Sequence, residues 1–263
     1  MIDRIDLARV RGALSTKLVG RVLHHDDATP STNDRVFEDP LAPDGYAAVA
    51  EAQTKGRGRL GRDWHSPPSR GILVSILLRP TLPRAEHAAF SVLPAVAAAE
   101  AIEKLLELPV QLKWPNDLMH DGCKLGGVLV ESRLDVSGDR LACGIGLNAN
   151  HTLADLPAAA RRPATSLRLI LGHPIDRDAL LAAVLNALEP RYAQLQAGRT
   201  AGLEGAWRDR TGLVGRKVLL QAGATTYRGR VESLGLSGIA LRDAAGALHQ
   251  LRGEHTSLVE IDP

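Results

Sequence analysis

Apolar side chains fall in short runs along this chain, and the spacing of the runs predicts its elements. The first clear strand is Tyr46 to Glu51, an apolar run between breakers. Gly71 to Arg79 (GILVSILLR), closed by Pro80, has the length and the Ile, Val and Leu content of a buried strand. Arg84 to Leu108 reads as a long helix, with Glu100, Glu103, Lys104 and Glu107 on its polar face. Pro94 inside it predicts a kink, or a helix that starts near there. Val110 to Trp114 and Leu125 to Leu134 read as two strands joined by a turn near Asp121-Gly122, and Leu141 to Leu147 as another. Asp176 to Ala197 is a second helix, with Asp176 as N-cap and Gly198 as its stop, and Glu204 to Arg210 adds a short third. From Val214 to Leu258 the texture changes to short strands separated by Gly or Asp-Ala-Ala-Gly turns, the signature of a small β-barrel or sandwich. The pattern predicts an α/β or α+β domain over residues 1–212 and a small β unit over 213–263.

Composition narrows the classes. A chain of 263 residues fits one large domain or a main domain with a satellite. Only 3% of residues are aromatic against 44% hydrophobic, so Ala, Leu, Val and Ile must build the core. The formal charge of +2 argues against a surface given over to nucleic acid, while leaving room for a local basic cluster. Cys123 and Cys143 make no disulfide framework, which predicts a reducing, cytoplasmic setting. The N-terminal stretch lacks the apolar run of a signal peptide, and no run has the length of a membrane span. The histidines and cysteines show no metal-ligand spacing, so no protein-held metal is expected.

Five local motifs carry candidate chemistry. In Gly56-Arg57-Gly58-Arg59-Leu60-Gly61-Arg62 glycines alternate with arginines. Glycines let backbone N–H groups approach an anion, and arginines add bidentate donors, so the loop suits a phosphate or carboxylate. Alone it equally suits an exposed basic loop or an RNA-contacting segment. It is not a Walker A loop, because no Gly-Lys-Ser/Thr follows. Lys113-Trp114-Pro115-Asn116-Asp117 brings lysine, amide and carboxylate together at a strand end, where a capped turn is the plainer reading. Lys124-Leu125-Gly126-Gly127 enters a strand with paired glycines, which mark close approach of a ligand or another backbone. Gly144 to Asn150 (GIGLNAN) ends a strand in asparagines. Ser31-Thr32-Asn33, after Pro30, reads by itself as a helix N-cap.

The order and spacing of these motifs closely resemble the biotin protein ligase family. Ser31-Thr32-Asn33, then Glu51 to Arg62 (EAQTKGRGRLGR) with Trp64, then KWPND, KLGG and GIGLN cover most of residues 29–150. The resemblance implies a mixed sheet with helices, like class II synthetases, followed by a small SH3-like β-barrel. It implies two steps: biotin is activated by ATP to biotinyl-5′-AMP, then transferred to a lysine of a biotin carboxyl carrier protein. Ser31, Thr32, Asn33 and Gln53 would then hold biotin, with Arg57, Gly58, Arg59, Lys124, Gly126 and Gly127 around it. Arg59, Arg62, Trp64, Lys113, Asn116 and Asn148 would lie near the nucleotide. Lys124, Arg57 and Arg59 would neutralise charge during the reaction, and Asp117 would orient Lys124 or the incoming amine. Mg²⁺ is expected to arrive with ATP.

Two departures matter. Lys55 stands where the family usually has a small residue. The stretch before Ser31 is too short for the DNA-binding domain of the bifunctional members, so a monofunctional ligase is expected, as a monomer or homodimer without operator binding. The rivals are a lipoate–protein ligase, a nucleic-acid-binding module built on the Gly/Arg loop, and a ligase that binds biotin without catalysis. The Gly/Arg loop together with KWPND favours biotin, the near-neutral charge and the lack of aromatic interleaving count against nucleic acid, and Arg57, Arg59 and Lys124 favour activity.

Overall fold

A computed structural model describes residues 4–135, 138–157, 163–253 and 255–261. The elements in order are α1 (Leu7–Ala13), β1 (Leu23–Asp26), α2 (Thr32–Glu38), β2 (Ala47–Ala50), β3 (Ile72–Leu78), α3 (Leu93–Leu106), β4 (Gln111–Lys113), β5 (Asp117–His120), β6 (Cys123–Asp135) and β7 (Gly138–Leu147). They continue with α4 (Leu167–Leu171), α5 (Arg177–Gln196), α6 (Ala201–Thr211) and β8 to β12 (Lys217–Ala222, Thr225–Gly235, Gly238–Arg242, Leu248–Leu251, Thr256–Ile261). Seven strands form one sheet in the order β1-β2-β3-β7-β6-β5-β4. The β1–β2 pair is parallel and the others are antiparallel, so the class is α+β with a mixed sheet, as expected.

The period-two alternation of the strands sorts the two faces of this sheet. Ile72, Val74, Ile76 and Leu78 of β3, with Leu141, Cys143, Ile145 and Leu147 of β7, join the main apolar cluster with α3 and α5. The alternate residues face the other way. Leu77, Ala48 and Ala142 there meet Val36 and Phe37 of α2 in a second, smaller cluster. Further along that second face the side chains shrink to Ser75, Gly144 and Gly146, leaving the sheet nearly bare.

The helices follow their sequence signals. Asp176 caps α5, accepting from the amides of Asp178 and Ala179, and Gly198 beyond its end has φ 70°. The long apolar segment over 84–108 divides at the proline: a 3₁₀ stretch runs over Arg84–Ser91, and α3 starts at Leu93 with Pro94 in its first turn, where its missing N–H costs nothing. Two strands of this sheet were not foreseen, and the first is β1, which precedes the earliest predicted strand. Between β4 and the Asp121-Gly122 turn the chain adds β5, so that turn joins β5 to β6. Beneath β2 lies a buried ion pair. Arg177 Nη2 donates to Glu51 Oε2 at 2.6 Å, and Glu51 Oε1 accepts from the Ile5 amide and contacts His25 Nε2.

The second sheet is antiparallel in the order β11-β10-β9-β8-β12. An SH3-like barrel was expected. Among the described residues β11 and β12 do not pair, so this is an open five-stranded sheet that fits an SH3-like unit without closing. Its inner side chains, Val218, Leu220, Val231, Ile239, Leu241 and Leu258, join the main apolar cluster with Leu203 and Trp207 of α6.

Candidate active site

A cavity of about 970 Å³ lies over the bare part of the second sheet face. Its floor is Gly127 and Leu129 of β6 with Gly144 and Gly146 of β7. The glycines are required by what covers them. A Cβ on Gly144 would overlap Asn33 Oδ1, and one on Gly146 would sit 2.6 Å from the Trp64 ring. The floor is bare so that α2 and Trp64 can rest on backbone.

The inner end is a hydrogen-bonded cluster. Ser31 occupies the N-cap position of α2 but makes no capping bond with its side chain, contrary to the simplest reading of Ser31-Thr32-Asn33. Gln53 Oε1 accepts from both the amide and the hydroxyl of Thr32, at 2.7 and 3.1 Å. Ser75 Oγ lies 2.7 Å from Thr32 Oγ1 and 2.6 Å from Asn33 Oδ1. Asn33 Nδ2 donates to Glu131 Oε2 at 2.7 Å and to the Leu129 carbonyl. A polar ligand entering here meets donors and acceptors already fixed in place.

The Gly/Arg loop folds over the mouth as a narrow hairpin. Gly58 N–H donates to the Arg62 carbonyl at 2.6 Å and Trp64 N–H to the Gly56 carbonyl at 2.9 Å. Leu60 at its tip has φ 58°, the left-handed region. Arg57 makes a bidentate pair with Asp34, at 2.8 and 2.9 Å, and also reaches Glu131. The Arg57 hydrogen bond holds the Asp34 carboxyl below the usual range despite partial burial, and Asp34 in turn raises Arg57. Arg59 Nη2 donates to the Gly253 carbonyl at 2.6 Å, in the connection between β11 and β12.

Along the far wall Lys124 Nζ lies 2.7 Å from Asp117 Oδ1 and 5.5 Å from the centre of the Trp64 ring, within cation–π range. The register sets Lys124 opposite Met119 and Asp117 opposite Gly127, and the lysine side chain reaches back past the bare Gly127 position to the carboxylate. Trp114 is buried, and Asn116 Nδ2 is turned to the Val128 carbonyl, so the middle of KWPND braces β6. Asn148 Nδ2 donates to the Thr165 carbonyl.

Of the residues singled out from sequence, Ser31, Thr32, Asn33, Gln53, Arg57, Gly58, Arg59, Arg62, Trp64, Lys113, Asn116, Asp117, Lys124, Gly127 and Asn148 line one cavity. Gly126 does not. It faces the opposite side, against Leu147 and the Gly146 carbonyl. Lys55 lines the mouth and is exposed. Sequence reading missed Ser75, Asp34 and Glu131, and also Ser257 and Leu258, which β12 brings to the wall. None of these has a local signature: each arrives by strand pairing or helix packing from a distant part of the chain.

Residues 26–148 match the biotin/lipoate A/B protein ligase family. The chain is 32% identical to the biotin–[acetyl-CoA-carboxylase] ligase of Paracoccus denitrificans, over 83% of this chain and 93% of that protein. It is 30% identical to the bifunctional ligase/repressor BirA of Bacillus subtilis, over 90% and 74% of the two. Among solved structures, the biotin protein ligase from Aquifex aeolicus in complex with biotin and ATP superposes with a TM-score of 0.77 at 30% identity, covering 91% of this chain and 99% of that one.

Proposed function

Since this chain belongs to the biotin/lipoate A/B protein ligase family, we infer that it is a biotin protein ligase, activating biotin with ATP and transferring it to a carboxylase. The observation that carries this is the single cavity that joins a polar inner end, a Gly/Arg lid and the Lys124–Asp117 pair. Its volume, about 970 Å³, is at the upper end for small-molecule sites and suits two ligands side by side.

In the first step a biotin carboxylate oxygen bonds to the α-phosphorus of ATP and pyrophosphate leaves. In the second a lysine amine attacks the acyl carbon, loses a proton, and AMP departs. The obstacle in the first step is bringing two anions together. Lys124 is the cation suited to lie between them, because Asp117 fixes its ammonium and Trp64 shields one side. Ser31, Thr32, Asn33 and Gln53 would grip the ureido end of biotin. Gly58 and Arg59 would cover the activated carboxylate from the lid, and Arg62, Lys113 and Asn148 would border the nucleotide. Among the described residues two carboxylates line the cavity, Asp63 and Asp117, and the second is taken by Lys124. Asp63 and Asp117 would be the carboxylates within reach of a Mg²⁺ ion brought by ATP, which would supply charge neutralisation at the phosphates.

The acceptor would be a biotin carboxyl carrier domain, whose lysine can reach the acyl group only where the lid leaves the mouth open. No described helix is long and apolar enough to cross a membrane, and a cytoplasmic enzyme is the reading in keeping with two free cysteines. We place the working division at residue 212, with the catalytic unit before it and the small β unit after.

Pyrophosphate–ATP exchange measured with biotin, with lipoate and without acid tests the reading. Exchange with biotin alone is expected; exchange with lipoate alone moves the chain to the sister activity, and none with either overturns the assignment. A second expectation concerns the floor. Gly144→Ala puts a methyl group where Asn33 Oδ1 lies and forces α2 outward. Biotin affinity by calorimetry is expected to fall by about 10- to 100-fold, the loss of one or two buried polar contacts. Unchanged affinity would remove Asn33 from the biotin site.

A further inference from the structure

The Gly/Arg loop has almost nothing apolar to hold it down: its one large apolar side chain, Leu60, is exposed at the tip. Its bonds within itself, Gly58 to Arg62 and Trp64 to Gly56, shape the hairpin but do not attach it. On the inner side, the attachment is Arg57. Both terminal nitrogens of its guanidinium are engaged, one on Asp34 Oδ2 and the other on Asp34 Oδ1 and Glu131 Oε2, at 2.8, 2.9 and 3.1 Å. Asp34 belongs to α2 and Glu131 to β6, so one loop side chain is held from two separate elements.

Glu131 has a second bond on the same oxygen. Oε2 also accepts from Asn33 Nδ2 at 2.7 Å, and Asn33 is part of the inner polar cluster through Ser75. A single carboxylate oxygen therefore touches both the lid and the end of the cavity where the ligand would be recognised.

We propose that Asp34 and Glu131 are positioning residues that clasp the lid through Arg57, and that Glu131 ties lid closure to the placement of Asn33. This rests on the biotin-ligase reading above. A ligand that draws Asn33 inward shares its acceptor with the lid, so filling the inner end and fastening the lid reinforce each other. Neither carboxylate belongs to a motif that sequence reading selected, and Asp34 does not line the cavity.

Three variants test it: Glu131→Gln, Glu131→Ala and Asp34→Asn. Glutamine keeps an oxygen for Asn33 Nδ2 but loses the charge that holds Arg57. With Glu131→Gln the release of biotinyl-adenylate is expected to quicken roughly tenfold, the loss of one charge-assisted contact, while the KM for biotin stays within about twofold. Glu131→Ala is expected to quicken release and also raise that KM. Asp34→Asn, on the exposed side of α2, is expected to match Glu131→Gln, and it serves if the alanine variant folds poorly. Trypsin cleavage of the ligand-free chain after Arg57, Arg59 or Arg62 gives a readout independent of activity, and Asp34→Asn and Glu131→Gln are expected to be cut faster than the parent. Release and cleavage rates equal to the parent's in Asp34→Asn and Glu131→Gln overturn the clasp. Equal KM for biotin in Glu131→Gln and Glu131→Ala overturns the tie to Asn33. A parent chain with no biotin-dependent exchange, but with variants cut faster, keeps the clasp and removes the ligase reading instead.

Discussion

Lys124→Ala is expected to lower biotin-dependent pyrophosphate exchange by about 10²- to 10³-fold, the scale on which one preorganised charge at a reacting centre acts. Two losses add. The ammonium no longer stands between the carboxylate and the α-phosphate. Asp117 also loses its partner at 2.7 Å and adds a negative charge to a cavity that must accept two anions. Lys124→Arg is expected to recover little, because a planar fork cannot occupy the place of a compact ammonium between Asp117 and the Trp64 ring. Biotin affinity measured without ATP separates the contributions: a mainly catalytic lysine leaves it within about tenfold of the parent. Full exchange in Lys124→Ala would remove this lysine from the chemistry.

The largest effect on stability is expected from Arg177→Met. Arg177 and Glu51 are 2% and 4% exposed. Methionine fills much of the space but leaves a buried carboxylate without its cation, which costs about 3–5 kcal/mol. For a chain of this size that is a fall of roughly 10 °C in Tm, readable by calorimetry. The pH dependence carries a sign. Burial works against ionisation of Glu51, but the Ile5 amide, Arg177 and His25 outweigh it and hold the carboxyl below its ordinary value. The pair therefore stabilises the parent above the unfolded carboxylate's titration near pH 4 and loses that contribution as pH falls through the lower folded value. In Arg177→Met the carboxyl gains by protonation, so the deficit against the parent is expected to shrink between pH 7 and pH 4. A deficit that does not change with pH would mean that the methionine is poorly packed, with no charge left unpaired.

Much of the site was legible because its chemistry is local. The Gly/Arg loop, KWPND and KLGG each announce themselves in a few adjacent residues, and the fold brings them around one cavity. The bare floor was half legible. GIGLN drew notice for its asparagine, and only the strand alternation shows that Gly144 and Gly146 share a face while Ile145 turns to the core. The carboxylates that hold Arg57 were not legible. Asp34 looks like any acidic residue in a first helical turn, and Glu131 like any polar end of a strand. β1 and β5 were missed for a related reason. Four residues each, one with two histidines and an aspartate, they are strands only because a neighbour supplies the ladder. Pro190 shows the reverse: the apolar pattern predicts one helix from Asp176 to Ala197 despite it, and packing of Leu181, Leu185, Leu188 and Tyr192 holds α5 through the proline.

The bond from Arg59 to the Gly253 carbonyl spans 194 residues. During synthesis the N-terminal sheet can begin to pair long before that carbonyl exists, since translation delivers roughly 5–20 residues per second. For those seconds the ribosome carries a nascent ligase whose cavity has its floor and far wall but lacks Ser257, Leu258 and the outer fastening of its lid. Adenylate made that early would have an open exit. Closing of the cavity thus waits on the segment that carries the Gly253 carbonyl and on β12, which supplies Ser257 and Leu258.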